Sequence, residues 1–255
     1  MQHDYYKEYY DYEREHWWFV AREKIIITSI NKHILEKIIS DEPLKILNIG
    51  CSTGRSSEYL SQFGTVTSLE YDKECCEFTS QKTGLEIING SITELTFSDN
   101  TFDLVCAFDV IEHVEDHELA VEEMKRVAKQ NGILFVTVPA FMDLWSHHDE
   151  VNFHFRRYTK KEIIALFNKT KKGDTVFVTY FNSILFLPIW IYRKLSNILK
   201  FGNKRQGAGS DFESFNNGFL NKVLYNIMHF ERHLIKRKIT FPAGVSLLNI
   251  WQLKK

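Results

Sequence analysis

Short apolar runs alternate with helical patterns along most of the chain from residue 45 onward. Runs of this length, closed by glycine, an acidic residue or a turn, are typical of buried strands. The predicted strands cover residues 45–49, 65–69, 85–88, 102–107, 133–138, 175–180 and 245–253. Strands that alternate with helices predict an α/β protein with a doubly wound, parallel sheet. Ligands of such sheets bind beyond the carboxyl ends of the strands.

One helix, between the fourth and fifth predicted strands, is clearly marked. Asp116 is placed to cap its N-terminus, and Leu119 and Val127 belong to its apolar stripe. The pair Asn131-Gly132 is predicted to end this helix, because glycine and asparagine favour the left-handed conformation that closes helices.

Helical patterns also flank the predicted sheet. Near the N-terminus, Trp17 and Trp18 either close a lid over a site or anchor a helix to the sheet. Towards the C-terminus, the stretch Gly202 to Gly209 is a polar, flexible break in a mainly helical region. The predicted division is a helical cap at 1–43, a core at 44–181 and 241–255, and a helical, basic insertion at 182–240.

The composition is that of a globular protein. Of the 255 residues, 44% are hydrophobic and 25% are charged, which excludes the disordered, collagen-like and coiled-coil classes. The four cysteines form no C-x-x-C pair and are expected to be reduced thiols. The sequence contains no signal-peptide pattern and no apolar run of about 18 residues, so we expect a cytoplasmic protein.

The net charge of −1 conceals two oppositely charged halves. Residues 1–150 carry 28 acidic and 13 basic side chains, whereas residues 151–255 carry 5 acidic and 19 basic ones. The basic half could bind phosphate, an anionic lipid surface or nucleic acid, or it could simply neutralise the acidic half. No nucleic-acid-binding signature is present, so no nucleic-acid partner is expected.

A strongly apolar segment, Ser183 to Tyr192, directly precedes Arg193-Lys194. It is too short to span a bilayer, and Pro188 interrupts it. Its pattern fits an element lying in a membrane interface, and equally a core helix or a dimer contact. Peripheral contact with an anionic membrane is therefore one expectation, and the oligomeric state is not predicted.

The first predicted strand runs into a glycine turn. Gly50 and Gly54 allow the backbone to approach a ligand closely, and a helix is expected to start near Arg55. A dinucleotide fingerprint would need glycine at Ser52 and at Arg55. Glu70 ends the next strand, 20 residues after Gly50, where an acid binds ribose hydroxyls. The ligand is thus a nucleoside with a carboxylate tail, a description that S-adenosylmethionine fits.

Five further segments belong to the same pattern. They are Leu69-Glu70, Gly90-Ser91-Ile92, Asn100 to Val105, Asp109 to Val114 and Gly132-Ile133-Leu134. With the glycine turn, they make the chain resemble the class I S-adenosylmethionine-dependent methyltransferases over residues 44–139 and the closing strand. The resemblance implies a Rossmann-like, mostly parallel sheet of seven strands, with S-adenosylmethionine as cofactor.

The resemblance also implies a set of cofactor-binding residues. The set is Gly50, Cys51, Ser52, Gly54, Glu70, Tyr71, Ser91, Ile92 and Phe108. The glycine loop would hold the methionine end, Glu70 the ribose, and Ser91-Ile92 the adenine. Asn48 and Ser91 stand where the family usually has aspartate, and Ser52 where a third glycine is usual. These departures leave open a cofactor-binding module without transferase activity.

The flanking segments resemble one subgroup of that family. They are His16 to Phe19 with Arg22, Pro139-Ala140-Phe141, Leu144 to Asp149 and His154 to Tyr158. The subgroup consists of bacterial methyltransferases that are often encoded beside glycosyltransferases. This likeness implies O-methylation of a small-molecule or lipid-linked saccharide acceptor.

Candidate catalytic residues follow the fourth and fifth strands. Histidine suits proton removal near neutral pH, which makes His148 the candidate base, with Asp149 to orient it. His113 is a further candidate that faces the cofactor, or else a packing residue. A metal reading of the residues around His154 lacks a familiar ligand spacing, so no metal is predicted. The His148-Asp149 pair could also serve only to bond the loop to the body.

Overall fold

The computed structural model describes residues 3–38, 42–170, 172–199 and 218–254. Its centre is one sheet of seven strands: β1 (Leu44–Ile49), β2 (Gly64–Glu70), β3 (Ile87–Asn89), β4 (Phe102–Phe108), β5 (Ala128–Pro139), β6 (Gly173–Phe181) and β7 (Ser246–Leu253). The strand order is β3-β2-β1-β4-β5-β7-β6. Only β7 runs antiparallel to its neighbours, so the predicted mostly parallel, doubly wound sheet of seven strands is confirmed.

Helices cover both faces of this sheet. They are α1 (His3–Glu15), α2 (Trp17–Ser29), α3 (Arg55–Leu60), α4 (Lys73–Thr83), α5 (His117–Val127), α6 (His147–Val151), α7 (Lys160–Asn168), α8 (Phe186–Leu199) and α9 (Gly218–Lys236). A π-helical segment at Ile30–Ile34 continues α2, and short 3-10 turns lie at Ser61–Phe63, Ile111–His113 and Met142–Leu144. Because helices cover the central strands on both sides, the sequences of these strands are nearly continuous apolar runs.

Two apolar layers form the core, one on each face of the sheet. Successive side chains of a strand point to opposite faces, so Leu47 and Val105 join the layer under α5 and α7. Ile46 and Leu104 join the other layer, under α2 and α9. Helix α2 packs along α9, so the N-terminal and C-terminal parts of the chain are in contact.

The structure corrects the predicted end of α5. Asp116 does cap this helix, and its side chain accepts a hydrogen bond of 2.9 Å from the Leu119 backbone N–H. The helix ends at Val127, however, because Ala128 already pairs with Phe102 in β4. The predicted stop, Asn131-Gly132, lies instead in a bulge of β5, where Asn131 has φ +64°.

Several other predicted elements are confirmed with shifted bounds. The third predicted strand, 85–88, is the three-residue β3, and the short helix α6 lies between β5 and α7. The region predicted to be helical after residue 182 provides α8 and α9, whereas Gly202 to Gly209 lies outside the described residues. In the described part of the chain, no helix is long and apolar enough to cross a membrane.

Candidate functional site

A cavity of about 690 Å³ opens at the carboxyl ends of β1, β2 and β4. It lies where the strand order reverses between β1 and β4, the position at which open α/β sheets bind ligands. Gly50 turns the chain here with φ +68°, and a Cβ at this position would lie 2.5 Å from Val110 Cγ2. Glycine is therefore required, and the backbone of the turn remains open to the cavity.

Seven of the nine predicted cofactor-binding residues line this cavity. They are Gly50, Ser52, Glu70, Tyr71, Ser91, Ile92 and Phe108. The other two, Cys51 and Gly54, are not among the residues that line it. Cys51 is fully buried, and its desolvation raises the pKa of the thiol. Gly54 precedes α3 with φ +88°, a left-handed conformation that ends the turn.

The Glu70 carboxylate holds the glycine turn in place. It accepts backbone N–H hydrogen bonds from Ser52 at 2.9 Å, Tyr71 at 2.9 Å and Asp72 at 3.2 Å. Desolvation raises the pKa of Glu70, and these three N–H groups oppose that rise. The side chain thus presents an acceptor of hydrogen bonds at the cavity wall, as a partner of ribose hydroxyls must.

Asn48, one of the departures from the family pattern, has a structural explanation. Its buried side-chain amide donates hydrogen bonds to the hydroxyls of Ser56 at 2.7 Å and Ser57 at 2.8 Å. It therefore braces the start of α3 rather than lining the cavity. Ser91 lines the cavity and pairs its hydroxyl with that of Thr93 at 2.8 Å.

The N-terminal helices contribute cavity residues that the sequence reading missed. Tyr6, Tyr9 and Glu13 of α1 and Arg22 of α2 all line the cavity. The only sequence signal for these residues is the cluster of aromatic side chains near the N-terminus. Contacts that arise from tertiary packing leave no local sequence motif. Arg22 forms an ion pair of 2.6 Å with Asp109, which follows β4.

Glu13 is a buried carboxyl group at the cavity wall. Desolvation raises its pKa to about 7, although the Thr53 hydroxyl donates a hydrogen bond to it. Together with Glu70 and Asp109, it gives the cavity an acidic lining. An acidic lining suits a ligand that carries positive charge.

A second cavity, of about 320 Å³, adjoins the first. Both cavities are lined by Tyr9, Asp109, His113 and Asn152, so they meet at the end of β4. About half of the residues that line the second cavity are aromatic or aliphatic. They are Tyr9, Trp17, Trp18, Pro139, Leu185, Pro188, Ile189, Tyr192, Leu224 and Val245. Trp17 thus both packs in the core and faces this cavity.

His148 lines the second cavity, but the structure does not pair it with Asp149. The buried Asp149 carboxylate bonds His154 Nδ1 at 2.8 Å and Arg157 Nε at 2.7 Å. Burial raises the Asp149 pKa, yet the hydrogen bonds and charge of His154 and Arg157 outweigh this and hold the pKa below its usual range. Neighbouring helical side chains diverge, so Asp149 orients His154 rather than His148. His147 pairs with the exposed Glu150.

His113 lies at the junction of the two cavities. Its exposed surface faces them, and its ring stands edge-on to that of His154 at a centroid distance of 4.5 Å. Desolvation of its ring, with the His154 ring close by, lowers the pKa of His113.

Comparison with known proteins agrees with this geometry. Residues 47–136 match the family model of the methyltransferase domain. The demethylmenaquinone methyltransferase of Staphylococcus epidermidis is 29% identical over 129 residues, 45% of this chain and 54% of the relative. The ubiquinone biosynthesis O-methyltransferase of Pelagibacter ubique is 31% identical over 120 residues, 41% of this chain and 50% of the relative. The chain thus spans about half the length of the curated relatives it matches.

Solved structures share the fold over the whole chain. A SAM-dependent methyltransferase from Thermotoga maritima matches with a TM-score of 0.57 and 16% identity, and the match covers 100% of both chains. The cavity at the strand-order reversal lies within the part of the chain that the family model matches. Residues 47–136 therefore resemble the methyltransferase-domain family, in a chain that shares the fold of a SAM-dependent methyltransferase of known structure.

Proposed function

We propose that the protein transfers the methyl group of S-adenosylmethionine to a hydroxyl oxygen of a small-molecule or lipid-linked saccharide acceptor. The observation that carries this proposal is the junction of the two cavities. The acidic first cavity suits the cofactor, and the second suits an acceptor. Their shared wall at Asp109, His113 and Asn152 is where the two reactants would meet.

The chain's own residues supply alignment and charge. When bound, the cofactor supplies an activated methyl group on a sulfonium centre. Glu70 and the Gly50 turn hold the nucleoside and methionine ends, and the excess of acidic over basic side chains in the lining complements the positive charge. Holding two reactants in line supplies much of the rate enhancement of such a transfer, since it replaces a bimolecular encounter.

The lining of the second cavity supports an acceptor with an apolar part. Trp17, Trp18 and Ile189 offer aromatic and aliphatic surface, which packs against a lipid tail or the face of a sugar ring. The names of the two curated relatives mention menaquinone and ubiquinone, which also combine a polar ring with a long apolar tail. A lipid-linked acceptor shares this division into polar and apolar parts.

We assign proton removal from the acceptor hydroxyl to His148. Its ring lies at the wall of the second cavity, and Asn152 Nδ2 lies 3.3 Å from His148 Nδ1. A positioned base contributes about 10²–10⁴-fold to turnover. We therefore expect His148→Ala to lose turnover by such a factor while its affinity for S-adenosylmethionine stays unchanged.

The matched control for this prediction is His147→Ala. His147 is the adjacent histidine, but it is exposed and pairs with Glu150, so its loss should change turnover little. The assay follows a labelled methyl group into glycan and lipid extracts. Binding of S-adenosylmethionine without transfer to any extract would favour the alternative function, a cofactor-binding module. Full activity in His148→Ala would remove His148 from the reaction.

A further inference from the structure

The side chains of Glu112, His113 and His154 converge beside the cavity junction. One carboxylate oxygen of Glu112 and one ring nitrogen of each histidine lie within 4.8 Å of one another. Two backbone connections build this arrangement. The tight turn Ile111–His113 directly follows β4, and the Phe155 N–H donates a 2.8 Å hydrogen bond to the Glu112 carbonyl. The loop that carries His154 is thereby fixed against the turn that carries Glu112 and His113.

Glu112 is the unexplained member of this cluster. Its side chain is fully buried, and neither carboxylate oxygen has a hydrogen-bond partner in another residue of the described chain. Buried carboxylates are normally paired, hydrogen-bonded or bound to a metal. Arg22 and Arg157 attract the Glu112 carboxylate, but neither donates it a hydrogen bond, and their ion pairs are with Asp109 and Asp149. The described residues therefore give this buried carboxylate no direct partner.

His154 is held in the way that metal ligands are held. Asp149 bonds His154 Nδ1 at 2.8 Å, which leaves Nε2 as the nitrogen available to a ligand. The His113 ring stands edge-on to the His154 ring at a centroid distance of 4.5 Å, which brings the two imidazoles together. Histidines that bind metals usually bond a carboxylate or a backbone carbonyl through the other ring nitrogen, which fixes the tautomer and the ring orientation.

From this geometry, we propose that Glu112, His113 and His154 bind a first-row divalent transition-metal ion. Two imidazoles and one carboxylate suit Zn²⁺, Fe²⁺ or Mn²⁺, whereas Mg²⁺ and Ca²⁺ prefer oxygen ligands only. Metal–ligand distances of about 2.1 Å would draw the three side chains together through small rotations. All three residues line the second cavity, so the remaining coordination positions face it.

A metal at this position would act on the acceptor, and this role rests on the proposed function. A hydroxyl bound to the metal loses its proton more readily, and the proton passes to His148 or to solvent. The resulting oxygen anion forms the new bond to the methyl carbon. The sulfur–methyl bond breaks at the same time, and its electron pair stays on sulfur, which becomes a neutral thioether.

Binding of Zn²⁺ to the full chain, without cofactor or acceptor, tests the site directly. Protein freed of metal with a chelator is titrated calorimetrically with Zn²⁺, and its melting temperature is followed in parallel. We expect one Zn²⁺ per chain and a rise in the melting temperature. Glu112→Gln should bind Zn²⁺ at least tenfold more weakly and lose that rise, whereas His147→Ala should behave like the wild type.

Two further readings separate a metal ligand from a structural residue. Without metal, Glu112→Gln should be at least as stable as the wild type, because the neutral amide avoids the cost of burying a carboxylate. His154→Ala should weaken Zn²⁺ binding as Glu112→Gln does. The proposal is overturned if the wild type binds no Zn²⁺ with defined stoichiometry, or if Glu112→Gln binds it equally well. Because the titration needs no methyl transfer, such a failure leaves the proposed function standing.

Discussion

Individual residues at the first cavity show which parts of the site a sequence can reveal. Gly50 and Glu70 could be predicted because a turn after a strand and an acid 20 residues later form a local pattern. Glu13 and Arg22 could not, because only the packing of α1 and α2 brings them to the cavity. Asp149 was paired with the wrong histidine, since adjacency in the sequence says nothing about the direction of a side chain.

Glu13 makes a testable contribution to the pH dependence of stability. Its pKa is raised by burial from 4.5 to about 7, so the folded state holds its proton more tightly than the unfolded state. The free energy of unfolding should therefore fall as pH rises from about 4.5 to about 7, by about 3 kcal/mol at most. Glu13→Gln should lack this fall.

Denaturant titration at a series of pH values measures this effect. The matched control is Glu8→Gln, at an exposed position of the same helix, which should keep the wild-type profile. A wild-type profile in Glu13→Gln would place the pH dependence on other groups. It would also remove the argument that Glu13 is a buried carboxyl group at the cavity wall.

At the scale of elements, the apolar runs identified every strand, whereas the ends of elements depended on pairing. The prediction that α5 ends at Asn131-Gly132 was wrong, because β5 already pairs with β4 at Ala128. The apolar segment at residues 183–192 likewise predicted a helix, which is α8. It did not predict which way the adjacent basic side chains, Arg193 and Lys194, point. Arg193 is buried and donates a hydrogen bond to the Leu144 carbonyl, and Lys194 pairs with Asp143.

The exposed side of α8 carries the proposal of membrane contact. Leu187, Ile191 and Leu195 follow one another at a spacing of four residues and are 59%, 44% and 51% exposed. Such a stripe can lie in the interface of a bilayer. We expect the protein to sediment with anionic vesicles and to be released as salt rises, since screening shortens to about 8 Å at 0.15 M.

Substitutions along this stripe make the test specific. Leu187→Asp with Leu195→Asp should abolish sedimentation, whereas Leu35→Asp, at an exposed leucine near the end of α2, should not. If the double variant sediments as the wild type does, the membrane contact does not involve this side of α8. Equal or absent sedimentation with neutral and anionic vesicles would favour a dimer contact or a structural role.

At the scale of the molecule, the sheet order creates the site that the reaction needs. The reversal between β1 and β4 opens the first cavity, and α1 and α2 close over it. The helices after residue 182 wall the second cavity. The alternation of apolar runs and helical patterns was sufficient for the sheet, and the glycine turn with Glu70 for one part of the first cavity. The second cavity joins residues from six separate stretches, which no local pattern connects.

Calorimetric titration of the full chain with S-adenosylmethionine tests most directly whether the first cavity binds the cofactor. We predict one saturable site per chain, with Glu70→Ala at least tenfold weaker because it loses charge-assisted hydrogen bonds to the ribose. Glu77→Ala, at an exposed position of α4, should bind as the wild type does. No saturable binding by the wild type, or an unchanged affinity in folded Glu70→Ala, would contradict the account.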